Sequence, residues 1–377
     1  MDVVVVGAGP AGWSVAAACA ARGLAAAVVS PSPREVWPAT YGMWAGQEPA
    51  GVEAVRSDDV WAAGRRLGRG YVVLDNASAL AGFDRDGVVA VDDKVVEVRK
   101  GRRGATVVLG SGRRLACREV VDASGVRRVV SGGPVRGRRA EQTAFGLVLR
   151  AEDVPRPGRV VFMDEWCVDG GVASFRYSVP LPGGRVLVEE TSLVARPGVS
   201  VELLRQRLLR RLGDVAERAV GAERVRFPMD LPPAAGVGVA GGLVHPATGY
   251  SVADSFAVAP VVAAAVEAGE PVGRAVWTVR ARAVRELRAH GARLLRRLPA
   301  EGLPEFFGAF FALPDDLRQA YLTGREDVAG TAAAMTEVFR AVPWRLRGDL
   351  LSAGALSGGV RAAAGIRRRG PRAGSGR

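Results

Sequence analysis

Residues 2–30 read DVVVVGAGPAGWSVAAACAARGLAAAVVS, and the fold follows from how this stretch is parsed. Four valines run into a glycine-rich hexapeptide, then an alanine-rich stretch and a second apolar run. The spacing predicts a strand over 2–6, a helix over about 11–22 closed by Gly23, and a strand over 25–30. Placed between strand and helix, each glycine of G-x-G-x-x-G has a task. Gly7 makes a tight turn, Gly9 lets a pyrophosphate approach the backbone, and Gly12 lets helix and strand pack closely. Gly7, Ala8, Gly9, Pro10, Ala11 and Gly12 are therefore expected to form a dinucleotide-binding loop. The acid that usually ends the second strand and binds ribose is replaced by Ser30, whose hydroxyl bonds a ribose less strongly than a carboxylate would.

Outward from this βαβ opening, an irregular Trp- and Pro-containing stretch reaches about residue 50, and a helix is expected near 52–67. Residues 88–125 alternate as a meander of short strands and end in VVDASG (120–125), a strand followed by a small-residue turn. Residues 140–230 read as further strands with a helix near 200–219. Residues 236–269 read as strand, glycine-rich turn and long helix, and 274–357 as mainly helical. The expected division is a dinucleotide-binding domain over 1–135 and 232–275, a β-rich covering domain over 136–231, a helical region over 276–357, and a basic, disordered tail over 358–377.

At 377 residues and 48% hydrophobic content the chain can bury a sizeable core. The net charge of +13 is local: residues 274–297 carry eight arginines against Glu286, and residues 361–377 carry six arginines and no acid. With no RNA- or DNA-binding motif, this distribution argues against nucleic acid as the partner. Val276, Val279, Ala283, Leu287, Leu294 and Leu298 recur at helical spacing among the arginines, as in a basic amphipathic helix that docks on the core or faces a membrane. No apolar run reaches the ~20 residues a spanning helix needs. Cys19, Cys117 and Cys167 lie far apart, suggesting neither a disulfide framework nor a metal site, and the start lacks a signal-peptide pattern; a bacterial cytoplasmic protein with peripheral membrane contact is the expectation.

EVWPATYGMW (35–44), QTAFG (142–146), VFMDEW (161–166), VEETSLV (188–194) and VHPATGYSV (244–252) follow one another in this order. With these motifs, and with FFGAFFALP and YLTGREDVAGTAAAM further on, the sequence resembles the FAD-dependent lycopene cyclases of carotenoid biosynthesis. The resemblance implies an α/β fold of the flavoprotein hydroxylase and glutathione-reductase type: a Rossmann-like FAD-binding domain, a β-rich substrate domain and C-terminal helices. It also implies FAD used in its reduced form, with NADPH as reductant, a lipophilic substrate (lycopene), and contacts with other carotenoid enzymes. The activity it implies is non-redox closure of the linear ends of lycopene to β-rings. A monooxygenase or prenyl reductase on the same fold, or a cyclase of another polyene, is the competing reading.

Within VEETSLV the essential acid of the family matches Glu189. Successive side chains of a strand face opposite ways, so Glu189 and Glu190 cannot share one role; an edge strand with one acid in water and the other on an arginine is the plainer alternative. A carboxyl in an apolar pocket stays protonated at neutral pH and can give a proton to a terminal alkene. The resulting cation needs negative charge or aromatic faces nearby, for which Trp37, Tyr41, Trp44 and Trp166 are candidates, with Glu190 grouped beside them at the substrate. Asp164 either assists the proton step or ends a strand. Gly238, Gly242, Thr248, Gly249 and Tyr250 are expected at the cofactor, with His245 shaping their turn. The phenylalanines at 306–311 suggest a tunnel or lipid-facing patch, or else a helix core.

Overall fold

The computed structural model describes residues 1–352 apart from 85 and 103. The strand Val3–Val6, the helix Pro10–Ala20 and the strand Ala26–Ser30 form the expected opening. Four parallel strands make its sheet, in the order Glu119–Asp122, Val3–Val6, Ala26–Ser30, Val88–Asp92. Val88–Asp92 thus leaves the meander, whose remaining strands 95–101, 104–109 and 114–117 form an antiparallel sheet of three. The opening helix, almost wholly buried, packs on the long helix Val252–Ala268, as small residues allow.

A second, seven-stranded sheet runs in the order Gly221–Pro228, Glu141–Arg150, Arg185–Ser192, Val172–Leu181, Val160–Asp169, Val60–Ala62, Arg65–Arg66. Arg185–Ser192 is paired on both sides and buried from Val186 onward, which overturns the edge-strand alternative for the two glutamates. One face of this sheet is covered by the helix Val201–Leu212 through Leu204 and Leu208. The other packs on a small antiparallel sheet (Gly42–Trp44, Tyr71–Leu74, Ala54–Ser57) and the C-terminal helices.

Three expectations need correction. Residues 52–67 form no helix: Ala54–Ser57 pairs with Tyr71–Leu74, and Val60–Ala62 runs parallel to Val160–Phe162, so strand partners distant in sequence outweigh local helix preference. Residues 236–242 form turns with a single bridge, Asp122 to Gly236, instead of a strand. The Arg285 guanidinium donates to the carbonyls of Leu231, Gly242 and Val244 there, doing what a neighbouring strand would have done. For that reason the helix Val279–Leu295 buries Arg285 and Arg288 with Ala281, Val284, Ala292 and Leu295, while Val279, counted on the apolar stripe, stays 85% exposed. The basic tail at 361–377 lies outside the described residues.

Candidate active site

The glycine loop has the shape a dinucleotide pyrophosphate requires. Gly7 has φ +111°, and a Cβ on Gly12 would stand 2.0 Å from the Gly7 carbonyl oxygen, so both must be glycine for the loop to close on the helix. A Cβ on Gly9, at the N-cap of the opening helix, would meet no atom within 4 Å. The space in front of Gly9 is thus open at a positive helix end, beside Ala8, Pro10 and Ala11. Gly238 packs on Ala11 from the other side, and Ser30 ends the second strand. Gly242 does not join them: it is wedged against Pro232 and accepts from Arg285, as a turn residue. Trp37 stands against this loop, its indole N–H donating to the Ala8 carbonyl at 2.7 Å, with its ring edge-on to Tyr41.

Between the seven-stranded sheet and the small sheet lies a cavity of about 350 Å³. Strand alternation sends Leu187, Glu189 and Thr191 into it, and Val186, Val188 and Glu190 to the opposite face. Tyr41, Trp44, Tyr71, Phe162 and Tyr177 give it aromatic walls, and Thr248, Gly249 and Tyr250 close one side. The His245 imidazole holds that turn, accepting the amides of Ala247 and Thr248 while Gly249 donates to its carbonyl. These amides are consumed within the turn, so a ligand edge here would find only the first amides of the helix Val252–Ala268.

Glu189 is buried, and the Thr191 hydroxyl donates to it at 3.3 Å. Desolvation, with the nearby Glu223 charge, pushes its carboxyl up to about 8, so it carries its proton at neutral pH. Glu190, 0% exposed, accepts from Ser174 (2.6 Å) and Arg211 (2.9 Å) beneath the covering helix, away from the cavity. Asp164 sits in a twice-bulged strand and faces Arg176, a residue opposite Glu190, so it too points away. Trp166 stacks on Phe307 at 5.9 Å and joins the strand layer to the helices without lining the cavity.

Sequence reading missed Glu223. In Gly221–Pro228, Glu223, Val225 and Phe227 face the cavity while Arg224 and Arg226 face out, so an acid in phase with two apolar residues was the available signal. The Thr40 amide (3.0 Å) and hydroxyl (2.7 Å) donate to its two carboxylate oxygens. Gly146, last of QTAFG, pairs with Glu189 on one side and Glu223 on the other. A Cβ there would lie 2.7 Å from Glu189 Cγ, so the glycine is the floor over which Glu189 leans. A second cavity of about 530 Å³, walled by Phe306, Phe307, Phe310 and Phe311, adjoins the first at Met163, Thr248, Phe311 and Leu322, and the phenylalanine run is its lining.

Comparison with known proteins agrees with this architecture. The chain is 37% identical over 380 residues to an uncharacterised carotenoid cyclase of Deinococcus radiodurans, covering 92% of each. It is 30% identical to the chloroplastic lycopene beta cyclase of an Oncidium hybrid cultivar, over 86% of this chain and 78% of that protein. A geranylgeranyl bacteriochlorophyll reductase-like protein of Thermoplasma acidophilum shares its fold, with a TM-score of 0.62 at 15% identity over 93% of this chain and 98% of that one. The lycopene cyclase protein family matches residues 2–347, and this chain, an α/β enzyme of carotenoid end-ring cyclisation, belongs to that family.

Proposed function

We propose that this protein closes the linear ends of lycopene to β-rings by acid catalysis, with Glu189 as proton donor. The observation that carries this reading is a carboxyl buried at the wall of an aromatic cavity, where desolvation raises it to about 8. Ring closure needs a proton placed on the terminal double bond, attack of the next double bond on the tertiary cation, and loss of a ring proton. A buried, protonated glutamic acid supplies the first. Tyr41, Trp44, Tyr71 and Tyr177 line the space where the cation forms, and a ring face turned to it is worth roughly 0.5–2 kcal/mol. FAD is the proposed cofactor, with its pyrophosphate against Gly9 and the opening helix, and in its reduced, anionic form it would add negative charge near the cation; NADPH is the proposed reductant. The polyene chain is proposed to run past Met163 and Phe311 into the phenylalanine-lined cavity. Leu350 and Leu351 line that cavity, Leu351 and the nearby-in-sequence Trp344 are 63% and 84% exposed, and together they support a peripheral membrane contact through which the substrate arrives.

The test is anaerobic incubation of purified, FAD-loaded, reduced protein with lycopene, with the product separated by chromatography and weighed. Rings at unchanged mass support the cyclase. A gain of oxygen or hydrogen would favour a monooxygenase or a prenyl reductase instead.

A further inference from the structure

Closing the ring leaves a proton to be removed, and the carbon that loses it fixes the position of the ring double bond. We propose that Glu223 is the base that takes this proton and so sets the ring type; the proposal rests on the cyclase reading above. Glu189, Gly146 and Glu223 lie side by side on three adjacent strands, which puts the two acids on one face with their backbones two strand spacings, about 10 Å, apart. Gly146 places no side chain between them, Glu189 leans into the room this leaves, and both acids line one cavity. Their surroundings differ in kind. Glu189 is buried among aromatic residues, with Tyr177 across the strand pair and the Thr191 hydroxyl as hydrogen-bond donor, whereas both oxygens of Glu223 accept from Thr40, an arrangement that an ionised carboxylate satisfies. A pair of carboxyls in opposite environments is the arrangement that divides acid from base.

The bookkeeping of the step is closed. The Glu189 O–H bond breaks and its proton adds to the terminal alkene. The π pair of the next alkene bonds one of its carbons to that cation, closing the ring, and leaves the positive charge on its other carbon. A C–H bond beside that cation then breaks, its pair becoming the ring double bond and its proton passing to the Glu223 carboxylate. Proton return from Glu223 to Glu189 restores the starting state, with no electrons exchanged. Loss from the ring carbon that joins the polyene gives the β-ring, and loss from the opposite neighbour gives the isomeric ε-ring; the fixed position of Glu223 on Thr40 chooses between them.

The experiment uses FAD-loaded, anaerobically reduced protein with lycopene in D2O. The wild type should form rings carrying one deuterium each. Glu189→Gln should lower ring formation at least ~10²-fold and leave recovered lycopene unlabelled. Glu223→Gln should slow ring formation by about 10²-fold or more, the scale of losing a general base, while recovered linear lycopene gains deuterium because protonation reverses. Glu223→Asp, which withdraws the carboxylate by one methylene, should recover part of the rate and raise the share of the isomeric ring. Wild-type rate and ring type in Glu223→Gln would overturn the assignment. So would loss of both rings and deuterium uptake in a Glu223→Gln protein that retains flavin and its melting temperature. If that variant does not fold, Glu223→Asp decides alone, and unchanged rate and ring type in it count against the base. Lycopene left intact by the wild type overturns the cyclase reading itself; the Glu223 assignment fails separately only where the wild type makes rings.

Discussion

Glu189 holds a proton that the same residue would lose in the unfolded chain above about pH 4.5, and that difference makes opposite demands on activity and stability. Its folded value lies near 8 and its ordinary value at 4.5, so between these the unfolded state binds fewer protons than the folded one. Stability contributed at this site therefore falls as pH rises through that window, by up to about 1.4 kcal/mol per pH unit, and levels off above 8. Glu189→Gln should accordingly raise the melting temperature at pH 8 and leave it nearly unchanged at pH 4.5, as thermal melts at the two pH values would show. The same substitution should lower cyclisation at least ~10²-fold while FAD stays bound, and the wild-type rate should decline as pH passes about 8. Glu190→Gln is the internal control. It weakens a buried link between Ser174 and Arg211, so it should cost about 1–3 kcal/mol of stability, read by denaturant unfolding, and leave ring formation per folded molecule in place. An equal loss of cyclisation in both single variants would defeat the alternation that separates the two acids.

Among the elements, the glycine loop and the helix it opens offer a contrast between folding and binding. A Cβ on Gly9 meets nothing in the protein, whereas one on Gly12 collides with the Gly7 carbonyl. Gly9→Val should therefore fold with wild-type stability and lose FAD, seen as colourless protein with an unchanged melting temperature. Gly12→Val should lose both, because it drives the helix off the strand. Yellow protein from Gly9→Val would remove the pyrophosphate from this loop. The helix Val279–Leu295 gives the second lesson at this scale. Its apolar spacing was legible, but its docked face was misread, because Arg285 and Arg288 are buried to serve carbonyls that no strand covers.

Over the whole molecule, the two cavities share a wall because the seven-stranded sheet, the turn at 248 and the C-terminal helices converge on Met163, Phe311 and Leu322. If the polyene runs through this junction, Leu322→Trp should obstruct it. Turnover of full-length lycopene should fall by an order of magnitude or more while flavin absorbance is kept. Unchanged turnover would place the chain elsewhere. Trp344→Ala should weaken binding to anionic vesicles in co-sedimentation without altering FAD retention, since this exposed indole lies outside the core. Within the described residues no helix is long and apolar enough to cross a membrane, so any such contact is made from the surface.

Local patterns determined what local physics governs. Four valines, three spaced glycines and an alanine-rich run have one economical conformation, and the period-two alternation of a strand was enough to send Glu189 and Glu190 to opposite faces. What only the tertiary structure decided depends on partners far away in the chain. Residues 54–66 became strands because residues 71–74 and 160–162 were there to pair with them. Trp37 serves the glycine loop through Ala8, and Asp164 was turned from the cavity by bulges in its strand. Glu223 entered the site through a register that sets it across Gly146 from Glu189, and no spacing along the chain encodes which strands lie side by side. Side-chain direction is a property of each strand, whereas the company a side chain keeps belongs to the assembled sheet.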